Sequence, residues 1–124
     1  MVQNVCFGRQ SETEWKEEIE LKIIYMIIAW FSCGVTSAVA CKIALSLYDD
    51  VQIYYIETGS GHPDNTRFLS DCERWYNRPI HTIRSDKYLN VEDVLTKKRF
   101  INGPTGAACT FELKKQVRYK LEKE

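Results

Sequence analysis

Residues Ser32-Cys33-Gly34-Val35-Thr36-Ser37 set three hydroxyls and a thiol around one glycine, directly after an apolar run and before a segment of helical spacing. Such a turn feeds a helix start, where the first backbone N–H groups have no partner inside the helix and the helix dipole leaves partial positive charge. The chemistry it suits is the holding of an anion, above all a phosphate. The same residues would also serve as a turn and helix cap alone, and both readings are open. Two further segments could join that chemistry. Glu57-Thr58-Gly59 closes a second apolar run with a carboxylate, a hydroxyl and a glycine, and Cys109 stands five residues before Lys114 at the opening of a basic segment.

Spacing excludes the commoner alternatives. There is no GxxxxGK[ST], and Gly59-Ser60-Gly61-His62-Pro63-Asp64 lacks the third glycine of a dinucleotide fingerprint. A cysteine phosphatase loop would carry Arg six residues after its cysteine, where Val39 follows Cys33. His62 and His81 are not spaced as a ligand pair, so no metal site is expected. Cys33 is either a small buried filler or, at a helix start, a thiol of lowered pKa, and the same helix-start argument leaves Cys109 open between a role in the site and none.

The elements that would position these groups follow from periodicity. Ile23 to Phe31 is apolar on both faces and rich in Ile, as a strand of a doubly covered parallel sheet tends to be. Val35, Ala38, Val39, Ala44, Leu45 and Tyr48 recur at helical intervals up to a break at Asp49-Asp50. Val51 to Ile56 reads as a second strand, ending in a loop rich in Gly and Pro. Asp64 is the expected cap of a helix running to about Trp75, with Phe68, Leu69, Cys72 and Trp75 or Tyr76 inward. Ile80 to Arg84 is a third strand, Val91 to Phe100 a helix, Asn102 to Gly106 a loop, and Thr110 to about Leu121 a basic helix. This order predicts a Rossmann-like, three-layer α/β/α fold with a small parallel sheet, strand order 3-2-1, and binding at the carboxyl ends of its strands. Cys41 and Cys72 fall on apolar helix faces and belong to the core. Trp30, Tyr54, Tyr55, Trp75 and Tyr76 read as core or sheet-facing, with no stacking platform for nucleic acid.

Composition narrows the class. In a chain of 124 residues, 44% hydrophobic content and 27% charge suit one globular domain. Residues 1 to 20 read as an N-terminal arm and 21 to 124 as the domain. Lys plus Arg equals Asp plus Glu at 17 each, so no global charge draws the chain to nucleic acid or anionic lipid. Five cysteines without a CxxC pair, and no basic segment leading into an apolar stretch, point to a reducing cytoplasm. The run from Ile23 to Phe31 falls short of the roughly 20 apolar residues a membrane-spanning helix needs. The basic residues Arg67, Arg84, Lys97, Lys98, Arg99, Lys114, Lys115 and Arg118 could ring an anionic ligand or be solvated faces, surface solvation being the default for most.

Three ordered segments carry a resemblance. Ser32 to Ser37 resembles the SGGxDS pyrophosphate loop of the PP-loop adenine nucleotide alpha-hydrolase superfamily. Glu57-Thr58-Gly59 with His62-Pro63-Asp64-Asn65 is similar to the D-T-G segment of the phosphoadenosine phosphosulfate (PAPS) reductase family, and Cys109 to Lys114 is similar to that family's C-x(3)-L-K segment. The resemblance spans about residues 23 to 118 and implies an adenine nucleotide, ATP or a relative with Mg2+, bound at the strand ends. It implies Ser32, Cys33, Gly34, Val35, Thr36 and Ser37 at phosphate, Glu57, Thr58 and Gly59 at the nucleoside, and Cys109 with Lys114 at the reacting group. The reaction would be α–β phosphate cleavage with adenylyl or sulfur-group transfer to an unknown acceptor; the alternative is a non-catalytic module that needs a partner chain.

The departures from the pattern also carry expectations. Cys33 replaces the first Gly of the pair and Thr36 the Asp, which removes a carboxylate that could organise a cation. No ECG segment occurs, and Ala108 stands where cluster-binding relatives have a second cysteine, so no iron–sulfur cluster is expected. Family members continue into strands beside the first one. Here that strand lies at a free edge, and completion by the arm, by a second copy as a homodimer or by a partner protein is expected.

Overall fold

The computed structural model describes residues 26–124. The N-terminal arm and the start of the first apolar run lie outside the described residues. Strand β1 spans Ile27–Phe31, helix α1 Val35–Leu47, β2 Val51–Glu57, α2 Asn65–Tyr76, β3 Ile80–Arg84 and α3 Val91–Lys98. Beyond them, Asn102–Gly103 (β4) and Gly106–Ala107 (β5) form a two-stranded antiparallel ladder within the segment expected to be loop alone. The C-terminal helix, α4, covers 108–122. It is α-helical over Ala108–Thr110 and Gln116–Glu122, with a π-helical turn at Phe111–Lys115 between them.

The sheet is parallel and ordered β1-β2-β3, the arrangement that the alternation of strands and helices predicts. Strand alternation sends Val51, Ile53 and Tyr55 to one face, where they are buried with Phe31, Ile80, Ala38, Cys41, Cys72 and Tyr76. Burying these side chains against α1 and α2 is the main favourable term, about 1.5–3 kcal/mol for each large one. The Tyr76 hydroxyl donates to the Ala38 carbonyl at 2.6 Å and ties α2 to α1. On the other face, register aligns Trp30, Tyr54 and His81 across the three strands, with ring centroids 6.0 and 5.0 Å apart. Arg118 of α4 lies over the Trp30 ring, 5.7 Å from its centre, which puts the C-terminal helix on this side of the sheet. A second apolar cluster of Val94, Ala108 and Leu113 joins α3 to α4.

Three expectations need correction. Asp64 occupies the cap position of α2 but accepts no cap hydrogen bond there; Arg67 takes its carboxylate at 2.6 and 2.7 Å. A guanidinium one turn away offers charge-assisted bonds that outcompete a backbone N–H. Val35 and Val39 are exposed, because the inward stripe of α1 centres on Ala38 and Cys41. Trp75 is half exposed and lies beside Lys42, whose ammonium sits 5.4 Å from its ring and donates to its carbonyl. Cys41 and Cys72 are core residues, as their helix faces require.

Candidate functional site

The turn from β1 into α1 is closed by one side chain. The Ser37 hydroxyl donates to the Gly34 carbonyl at 2.9 Å and accepts from the Ser32 N–H at 3.1 Å, and the Ser32 hydroxyl lies 2.9 Å from it. Cys33 is forced to φ +58, the left-handed region that a residue with a Cβ enters at a cost of about 1–2 kcal/mol. The resembling loop has glycine at that position, and the backbone here adopts the conformation glycine favours. Gly34 then caps α1 in extended conformation with no side-chain bond. No hydrogen bond from the N–H groups of Val35, Thr36 or Ser37 is made among the described residues, as a helix start requires.

The loop after β2 is held just as specifically. Both Glu57 oxygens are engaged: Oε1 accepts the Gly59 N–H at 2.8 Å and Oε2 the Tyr55 hydroxyl at 3.4 Å. Gly59 sits at φ +75, and a Cβ there would lie 2.1 Å from the Leu89 carbonyl oxygen. Ser60 accepts the Val91 N–H at 3.0 Å, which fastens this loop to the start of α3. Asn90 caps α3 by accepting from Asp93 N–H at 2.9 Å.

The third piece is α4. Its π turn inserts an extra residue into the helical cycle, a feature frequent at functional sites. Leu113 is buried against α3 while Lys114 and Lys115 remain exposed. Neither lysine has an ion-pair partner among the described residues, in contrast to Lys98, which reaches Glu112 at 3.1 Å.

These three pieces border one cleft of about 570 Å³. Ser32, Thr58, Cys109 and Lys114 line it, together with Lys115, Arg118 and the apolar faces of Trp30 and Ile56. Among the described residues no carboxylate lines the cleft, while three cations and the hydroxyls of Ser32, Thr58, Ser60 and Thr110 do. Cys33 and Val35 instead face a smaller cavity of about 190 Å³ beside His62 and Asn65. Gly34, Thr36, Ser37, Glu57 and Gly59 line neither; they shape the two loops from behind. Sequence reasoning left Lys115 and Arg118 open between a ligand role and solvated faces, and assigned Trp30 to the core or sheet. The helical spacing of Thr110, Lys114 and Arg118 was the signal that could have found one of these positions, Arg118.

The thiols differ in setting. Burial pushes the Cys33 thiol up, hydrogen bonding with Tyr55 opposes this, and the neighbouring Cys72 and Glu57 add to the rise. Its Sγ lies 3.7 Å from the Asn65 carbonyl oxygen. The Tyr55 hydroxyl is pushed up to about 12, chiefly by burial and then by the charges of Cys33 and Glu57. Cys33 is therefore a protonated filler at neutral pH, against the reading of a helix-start thiol of lowered pKa. All four described cysteines are free. No group of three or more candidate metal ligands occurs among the described residues, and no described helix is long and apolar enough to cross a membrane. No protein-family model and no curated protein matches the chain.

Proposed function

We propose that this domain binds an adenine nucleotide, ATP or a close relative, in the cleft at the carboxyl ends of its strands, as a PP-loop domain of PAPS reductase type. The observation that carries the reading is the convergence of three segments, separated by up to about 70 residues, on one cationic cleft without a carboxylate among the described residues. Phosphate would take the hydroxyls of Ser32, at the turn that leads into α1, and of Thr58, with Lys114 and Lys115 balancing its charge. The nucleoside would lie against Trp30 and Ile56. The donor set fits phosphate well and a protein-held Mg2+ poorly, since both Glu57 oxygens are already bonded and Thr36 offers only a hydroxyl. Any Mg2+ would ride on the phosphates, as that ion commonly does. The free thiols suit a reducing cytoplasm.

If the domain turns over its nucleotide, α–β cleavage with transfer to an acceptor is the class of reaction, with Cys109 and Lys114 at the reacting end. A second reading, a binding module completed by a partner chain or a second copy, is favoured by the missing carboxylate at Thr36. Titrating ATP with Mg2+ into the protein by calorimetry tests binding, and assaying pyrophosphate release separates the two readings. Binding with release supports the enzyme, binding without release the module, and no binding at millimolar ATP removes both.

A further inference from the structure

We propose that Arg118 is an anion-capturing side chain of the cleft, held in reserve by Glu122 and parked on Trp30 until a ligand's charged group draws it inward. The inference rests on the nucleotide-binding reading above and adds a residue that the resemblance does not supply.

Arg118 and Trp30 both line the cleft, next to Lys114 and Lys115. The guanidinium carbon lies over the indole, 5.7 Å from its ring centre, and Nε donates to Glu122 Oε1 at 2.6 Å, one helical turn on. The side chains of Arg118 and Glu122 are 53% and 37% exposed, so this i,i+4 pair is solvated and weak. The two terminal guanidinium nitrogens make no hydrogen bond among the described residues, which leaves the bidentate edge of the fork free. A planar fork held on an aromatic surface loses little freedom when it meets a phosphate or sulfonate. Among the described residues Glu122 is the one carboxylate bonded to it, and Glu122 does not line the cleft. A multiply charged ligand would therefore compete with Glu122 for Arg118, and releasing Arg118 would uncover the Trp30 ring.

The arrangement makes an expectation of unusual sign: removing a carboxylate that pairs with a binding residue should tighten binding. The test is calorimetric titration of ATP with Mg2+ into wild type, Arg118→Ala, Glu122→Gln and the double variant, with uncharged adenosine as the second ligand. Arg118→Ala should weaken ATP about tenfold. Glu122→Gln should tighten it roughly two- to fivefold, the scale of a solvated ion pair. In the Arg118→Ala background that gain should vanish, as it must if Glu122 acts through Arg118. Adenosine affinity should not change across the series. With Trp15 and Trp75 replaced by Phe, Arg118→Ala should shift the emission of the free protein in the sense that ATP shifts the parent. A gain that persists without Arg118 would mean a general field effect and would overturn the proposal, as would Glu122→Gln leaving ATP affinity unchanged or weaker. Absence of ATP binding in wild type would instead remove the nucleotide reading, and this inference with it.

Discussion

Replacing Gly59 with Ala should be the most damaging Gly-to-Ala change among the described glycines. At φ +75 a side chain costs about 1–2 kcal/mol from backbone sterics alone. The added Cβ would also sit 2.1 Å from the Leu89 carbonyl oxygen and 3.1 Å from the Asn90 Cβ. That wall cannot recede freely. The Leu89 N–H donates to Asp93 at 3.0 Å, the Leu89 carbonyl accepts from Arg84 at 3.1 Å, and the Ser60 hydroxyl accepts from the Val91 N–H at 3.0 Å. Moving it would break at least one or two of these bonds, each worth about 1 kcal/mol net. The total is roughly 3 kcal/mol, or about 10–20 °C in Tm for a domain of this size. Two controls isolate the clash. Gly106→Ala at φ +103 meets nothing within 4 Å and should cost only the backbone term, about 1–2 kcal/mol. Gly61→Ala would meet the Asn65 amide at 2.8 Å, a side-chain end that can rotate away, and should cost under about 1 kcal/mol. Urea unfolding followed by circular dichroism measures all three. A Gly59→Ala loss no larger than that of Gly106→Ala would refute the reasoning.

Ser37→Ala removes the hydroxyl that closes the loop and should weaken ATP at least tenfold in calorimetry while costing about 1 kcal/mol of stability; unchanged affinity in the folded variant would dismiss the loop as a phosphate cradle. Cys33, its thiol raised by burial above the ordinary thiol value of 9.0, should alkylate slowly with iodoacetamide at pH 7 and faster only in alkali, as mass spectrometry would reveal. Fast labelling of Cys33 at neutral pH would contradict the geometry around it. Stability should also fall in alkali. Folded-state values raised for Cys33, Cys41 and Tyr55 favour the protonated forms, so their contribution is complete below the unfolded values of 9.0 and 10.0. It is lost as pH rises from about 9 towards about 12, and the urea midpoint should drop across that range.

The three parallel strands and the helices between them are legible in the sequence because each obeys one local period: Ile53 and Tyr55 alternate with Gln52 and Tyr54, and Ala38 and Cys41 mark a helical stripe. What escapes local reading depends on residues far away. Gly59 is obligatory because of Leu89, thirty positions on. The row of Trp30, Tyr54 and His81 exists only once the register of three strands is set. The π turn at Phe111–Lys115, whose Leu113 is buried with Val94 of α3, is encoded by no spacing rule. Asp64 reads as a cap by type, yet Arg67 lies one turn on and wins its carboxylate. The three segments of the cleft are each visible as motifs. Their convergence is a property of the fold, and Lys115, Arg118 and Trp30 join them only there.

The claim that these segments form one nucleotide cleft is tested most directly by backbone amide NMR of the full chain during an ATP titration with Mg2+. The account predicts shift changes that saturate together at Ser32 through Ser37, at Thr58 through Gly61 and at Cys109 through Lys115, with Val94 and Ile80 unmoved. Perturbations confined to one segment, or scattered over surface lysines without saturation, would contradict it.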